Sequence, residues 1–153
     1  MESFYDFRAE EGRYHNCRGN AFEILCLYHI RAIKASLGIL GVRTKHFPWT
    51  SERGIGGAQI DLVIERDDGI TNICEEKYTD KPFRISAEYE QNLLNKLEVY
   101  REESHTKTAL KIILISAEGV AGTAHTEHIA RTLERIPSSE ISIRKTGMSL
   151  CIR

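Results

Sequence analysis

The sequence predicts an α/β fold in which a central mixed β-sheet is flanked by helices. Within Gly56 to Tyr78, two β-branched runs flank Asp67, Asp68 and Gly69 and read as a hairpin, because Gly supplies the positive φ that the turn needs. Ala109 to Ser116 is nearly continuous in apolar residues, the pattern of a strand buried on both faces inside a sheet. Two further stretches, Gly19 to Leu37 and Ser86 to Glu103, carry apolar residues at helical spacing. Helices and strands in this order form a layered α/β sandwich.

Taken in order, residues 1–18 form an N-terminal arm that is aromatic and charged, with no clear period. Residues 19–153 form one domain, since a chain of 153 residues supports a single core. From Gly19, the residues Phe22, Leu25, Cys26, Ile30, Ile33 and Leu37 mark one face of a helix, with Asn20 as its N-cap and Gly38 and Gly41 at its exit. Val42 to Trp49 reads as the first strand, ending at Pro48, which cannot donate to a ladder. The glycine-containing loop from Thr50 to Gly57 carries Arg53. The hairpin follows, and Ile60, Leu62 and Ile64 on its other face are expected to pack against a helix layer. Ser86 caps a helix that runs to about Glu103 with Tyr89, Leu93, Leu97 and Tyr100 as its apolar stripe. After the buried strand, Ala124 to Arg135 reads as a second crossover helix with Ile129 and Leu133 inward. Glu140 to Lys145 and Met148 to Ile152 suggest a closing hairpin at a sheet edge.

Composition narrows the function classes. With 41% hydrophobic and 28% charged residues, the chain is that of an ordinary globular protein. No apolar run approaches the roughly 20 residues of a membrane span, and Met1 to Arg8 lacks the apolar centre of a signal peptide, so a cytoplasmic location without a membrane partner is expected. The 4 cysteines, Cys17, Cys26, Cys74 and Cys151, are widely spaced and read as free thiols of a reducing compartment. A formal net charge of −1 counts against a domain that lives on nucleic acid, where phosphate neutralisation dominates affinity; a bound Mg²⁺ or a partner domain would offset it.

The chemistry concentrates on the hairpin. With a three-residue loop and Gly69 in the left-handed conformation, Arg66 pairs with Ile70, and five residues further out Asp61 faces Glu75. Lys77 shares the face of Glu75 by the period of two, while Glu76 points the other way. A two-residue Asp68-Gly69 turn would instead set Asp61 opposite Glu76 and send Glu75 and Lys77 to the other face. Carboxylates directly opposed in a sheet repel, so a cation between them is expected. A hard divalent ion such as Mg²⁺, held by one or two carboxylates and waters, fits. Glu23 projects beside the apolar stripe of the first helix: it is a third acidic ligand, or a carboxylate favourably placed in a helix's first turn.

Asp61, followed on the next strand by Glu75-x-Lys77, resembles the signature of the PD-(D/E)XK nucleases, with Ile60 in place of the proline. Gly57-Ala58-Gln59-Ile60-Asp61-Leu62-Val63-Ile64, Asn72-Ile73-Cys74-Glu75-Glu76-Lys77-Tyr78 and Lys81-Pro82-Phe83 are similar to the nuclease-fold domain found C-terminal to archaeal-type and bacterial AAA-family ATPases, over residues from about 19 to about 119. The resemblance implies a restriction-endonuclease-like core and a metal-dependent nuclease, a hydrolase of nucleic-acid phosphodiesters, with DNA favoured over RNA by analogy. Asp61, Glu75 and Lys77 would be catalytic. Glu23, Asp61, Glu75 and the main-chain carbonyl of Glu76 would hold Mg²⁺, with Mn²⁺ as a substitute. Gly19-Asn20-Ala21-Phe22-Glu23 matches the family's helix glutamate. Arg53, Lys81 and Arg84 are candidate substrate-backbone contacts. Gln91 stands where some related nucleases place a helix glutamine, but Asn95 replaces the tyrosine of that pattern, so the role is not transferred.

Two other readings stand beside this one. The domain is a catalytically silent module for DNA docking or assembly, working with an AAA-family ATPase or as a homo-oligomer; or Lys77 bridges Asp61 and Glu75 as a structural ion cluster. No phosphate-loop motif occurs in the chain itself. The three-residue spacing of His125 and His128 suits zinc, but no further ligands stand near them in the sequence, and surface or boundary histidines are the plainer reading.

Overall fold

The computed structural model describes residues 19–122 and 124–134. The arm at 1–18, the expected terminal hairpin beyond Pro137, Cys17 and Cys151 lie outside the described residues. Within them, a five-stranded mixed sheet is flanked by helices. Residues 19–28 are helical (α1), and α2 spans Ile30–Ser36. The expected single helix is interrupted at His29, whose φ of −102° and ψ of 24° leave the helical region. Its N–H is shared between the carbonyls of Leu25 and Cys26 at 3.0 and 3.2 Å. Gly38, with φ of +72°, ends α2: its N–H bonds the carbonyl of Ala35 and that of Ile39 bonds Lys34, both at 2.9 Å. Only a residue free to adopt positive φ closes a helix in this way.

The strands are β1 (Thr44–Thr50), β2 (Gln59–Arg66), β3 (Ile70–Lys77), β4 (Ala109–Ser116) and β5 (Ile129–Glu134), in spatial order β1-β2-β3-β4-β5. The first three pair antiparallel, and β4 and β5 join in parallel. Helix α3 (Ala87–Ser104) makes the crossover from β3 to β4. The Ser86 hydroxyl accepts from the Tyr89 N–H at 3.1 Å and starts it, and His105 ends it with a φ of 53°.

The hairpin has the three-residue loop. Leu62 pairs with Cys74 and Glu65 with Thr71, and Gly69 takes a φ of +83°. Side chains from the two faces of the sheet form two cores. Leu62, Ile64, Cys74, Ile113 and Ile115 pack with Phe22 and Cys26 of α1 and Ile33 of α2; Val63 and Ile73 pack with Tyr100 of α3. Alternation along each strand separates the two sets.

Three further expectations need correction. Pro48 lies inside β1 and does not end it. Phe47 pairs with Val63 and Trp49 with Ile60, so one residue, Pro48, stands opposite two, Asp61 and Leu62. This is a β-bulge, which a proline tolerates because its missing N–H is not required there. The bulge resets the alternation, so Ile60 packs with Val63 and Ile73 and does not share a core with Leu62 and Ile64. The expected helix from Ala124 to Arg135 is a short 3₁₀ turn, Ala124–Thr126, followed by β5. The spacing of four between Ile129 and Leu133 satisfies the period of two as well as that of 3.6, so it does not distinguish a strand from a helix.

Candidate functional site

The bulge sits at the residue that matters most for the site. The β2–β3 ladder ends at the pair Leu62–Cys74, one residue short of Asp61 on one strand and Glu75 on the other. Asp61 does not extend the ladder there through its main chain alone, because its Oδ2 accepts the Glu76 N–H at 2.9 Å. Glu76 thus presents its main chain toward β2. The Lys77 carbonyl, one residue on, accepts from Ala117 on the β4 side at 3.1 Å, as the alternating direction of strand carbonyls requires.

Glu75 and Lys77 lie on the α3 face. Glu75 is 1% exposed, with Oε1 2.7 Å from the Lys96 ammonium and Oε2 3.5 Å from the Tyr89 hydroxyl. The Lys77 ammonium lies 5.2 Å from the centre of the same Tyr89 ring, a cation–π contact. Glu76 faces the other way, toward Cys26 of α1. It is buried, and neither carboxylate oxygen has a hydrogen-bond partner of normal geometry.

The electrostatics place Asp61 at the centre. Burial, then the charge of Asp61, raise the proton affinity of Glu75, while Lys96 and Lys77 oppose them. Burial and Asp61 push Glu76 up to about 8, with Cys26 working against them and Glu23 and Glu75 adding to them. Glu23 is raised by burial and by Asp61 and lowered by Lys77. The Tyr89 hydroxyl is raised by burial and then by the charge of Glu75. Four carboxylates therefore crowd one end of the hairpin against two ammonium groups. Such crowding favours an added cation or bound protons.

Asp61 and Lys77 each act electrostatically on both Glu23 and Glu75. Among the described residues, however, no three His, Cys, Asp or Glu side chains converge as metal ligands. The donor set is all oxygen, and Mg²⁺ is commonly held by one or two carboxylates with waters completing its octahedron. Asp61 and Glu75 offer carboxylate oxygens, the donor type such an ion takes; the described residues build no closed protein cage.

The outlying candidates are placed differently. Arg53 pairs with Glu102 at 2.7 Å and Glu103 at 3.3 Å, at the far end of α3 from Tyr89. Lys81 and Arg84 are exposed on the connector between β3 and α3. Phe83 stitches that connector to the segment after β4 through bonds to Gly119 and Ala121, both at 2.9 Å. His125 contacts Glu90 of α3 at 2.9 Å, and His128 approaches the same carboxylate at 3.8 Å. Sequence reasoning missed Lys96 and Tyr89 as site residues. Lys96 stands seven residues after Tyr89 and four before Tyr100, on the helix stripe, and a lysine in that register was the available signal.

No family model matches the chain, and no curated protein does. Among solved structures, the crystal structure of AF1548, a protein of unknown function, is similar over 68% of this chain at 14% identity and a TM-score of 0.45. The chain spans about half of that protein, 55% of its length.

Proposed function

We propose that this protein is a Mg²⁺-dependent nucleic-acid phosphodiesterase of the PD-(D/E)XK type, with a restriction-endonuclease-like core and DNA as the favoured substrate. The observation that supports the reading is the hairpin register, whose ladder ends at Leu62–Cys74 with Asp61 and Glu75 the next residues outward, and Lys77 beside Tyr89 on the α3 face that Glu75 also meets. Asp61 and Glu75 would hold the ion, with Glu23 and the Glu76 carbonyl as further oxygen donors. When bound, Mg²⁺ supplies Lewis acidity and a more acidic water. Lys77 stabilises negative charge on the phosphate oxygens and orients the attacking water. Exposed Lys81 and Arg84 offer contacts to the nucleic-acid backbone, whereas the charge of Arg53 is already matched by Glu102 and Glu103.

A second reading is a nuclease-fold module that docks on DNA or assembles with an AAA-family ATPase, or with copies of itself, without cutting. Two features favour it: Lys96 already neutralises Glu75, and the net charge is −1. Incubation with plasmid and single-stranded DNA in Mg²⁺ or Mn²⁺ separates the two. The enzyme reading predicts cleavage that falls by about 100-fold or more in Glu75→Ala and in Lys77→Ala. DNA binding without cleavage selects the module, and cleavage that survives both substitutions belongs to a contaminant.

A further inference from the structure

Glu75 is almost wholly buried, yet the metal-dependent reading asks it to meet an ion. One of its oxygens is already engaged. The Lys96 ammonium lies 2.7 Å from Oε1, on a side chain only 16% exposed, while Oε2 has just the 3.5 Å approach of the Tyr89 hydroxyl. Lys96 is fixed there by α3 itself, whose neighbouring residues Leu93 and Tyr100 are buried. Lys77 is placed otherwise, over the Tyr89 ring and within reach of Glu23 as well as Glu75. A buried carboxylate without a counter-charge destabilises a fold strongly, so the ion-free protein needs Lys96. A divalent cation entering beside Asp61 would share Glu75 with that ammonium, and like charges so close in a poorly solvated site repel.

We propose that Lys96 is a resident counter-ion of Glu75, occupying the carboxylate oxygen a divalent cation would otherwise reach, and that it sets how tightly the site holds its ion. This makes Lys96 a positioning residue of the site, and it rests on the metal-dependent reading above. A merely structural lysine would weaken ion binding when removed, by loosening Glu75. A resident counter-ion does the reverse.

Mn²⁺ titrated calorimetrically at about pH 8 into the wild type, Lys96→Met, Lys96→Gln, Lys96→Arg and Glu75→Gln tests this. Lys96→Met and Lys96→Gln are expected to bind Mn²⁺ about tenfold tighter, and Lys96→Arg, which keeps the charge, to stay within about threefold of wild type. Lys96→Gln retains a donor for Oε1 and serves if Lys96→Met does not fold. Unchanged or weaker binding in folded Lys96→Gln, with wild-type binding still dependent on Glu75, overturns the role of Lys96 and leaves the metal site standing. No binding by any of these proteins, or wild-type binding that Glu75→Gln does not alter, overturns the metal-dependent reading and the role of Lys96 with it.

Discussion

Glu76 and Glu75 are neighbours in sequence with opposite surroundings. Glu75 turns toward α3 and finds an ammonium. Glu76 turns toward α1, meets the Cys26 thiol and lacks hydrogen-bond partners for both oxygens. Its proton affinity is raised from an ordinary value of 4.5 to about 8, by burial first and by Asp61 second. Between those limits the unfolded chain has released a proton that the folded chain keeps. Stability therefore falls as pH rises through this window and levels off above it. In ion-free buffer, Glu76→Gln is expected to flatten the melting temperature against pH between about 5 and 8, and to raise it at pH 8 by about 5 °C. A variant as pH-sensitive as the wild type would falsify this account of Glu76. The opposite facing of Glu75 and Glu76 was legible in the sequence, because the period of two follows from the hairpin. That Lys96 would meet Glu75 was not, because a lysine on a helix stripe ordinarily carries its charge out to water.

The hairpin shows which local signals decide and which mislead. Asp67-Asp68-Gly69 specifies the loop because Gly69 alone of the three adopts positive φ, at +83°, and this loop sets the register in which Leu62 pairs with Cys74. Space around Gly69 is open, so Gly69→Ala tests backbone strain without a clash. It is expected to cost about 1 kcal/mol, read as a lower urea midpoint at constant slope. Unchanged stability would mean that the loop does not depend on the glycine conformation. The ends of α3 and the whole of β4 were readable from a capping serine and an unbroken apolar run. The bulge opposite Pro48 was not, since nothing local to Asp61 and Leu62 distinguishes two residues facing one partner from regular alternation. β5 was not legible, because the spacing of Ile129 and Leu133 suits the helical and the strand period alike.

At the scale of the molecule, the sheet carries a core on each face, and the Asp61 end of the hairpin lies between α1 and α3. That placement lets Glu23 from one layer and Lys96 and Tyr89 from the other converge on β2 and β3. Among the described residues no helix is long and apolar enough to cross a membrane. The small net charge counts against tight unaided binding to nucleic acid, whose affinity scales with the phosphates neutralised. The division of layers was legible from helical and strand periods, whereas the meeting of four carboxylates at one end requires the three-dimensional register. The most direct measurement is calorimetric titration of Mn²⁺ into the wild type, Asp61→Asn and Glu75→Gln. A two-carboxylate site predicts saturable binding of one ion per chain in the wild type, weakened at least about tenfold in each variant. Absence of saturable binding, or binding that neither substitution changes, contradicts it.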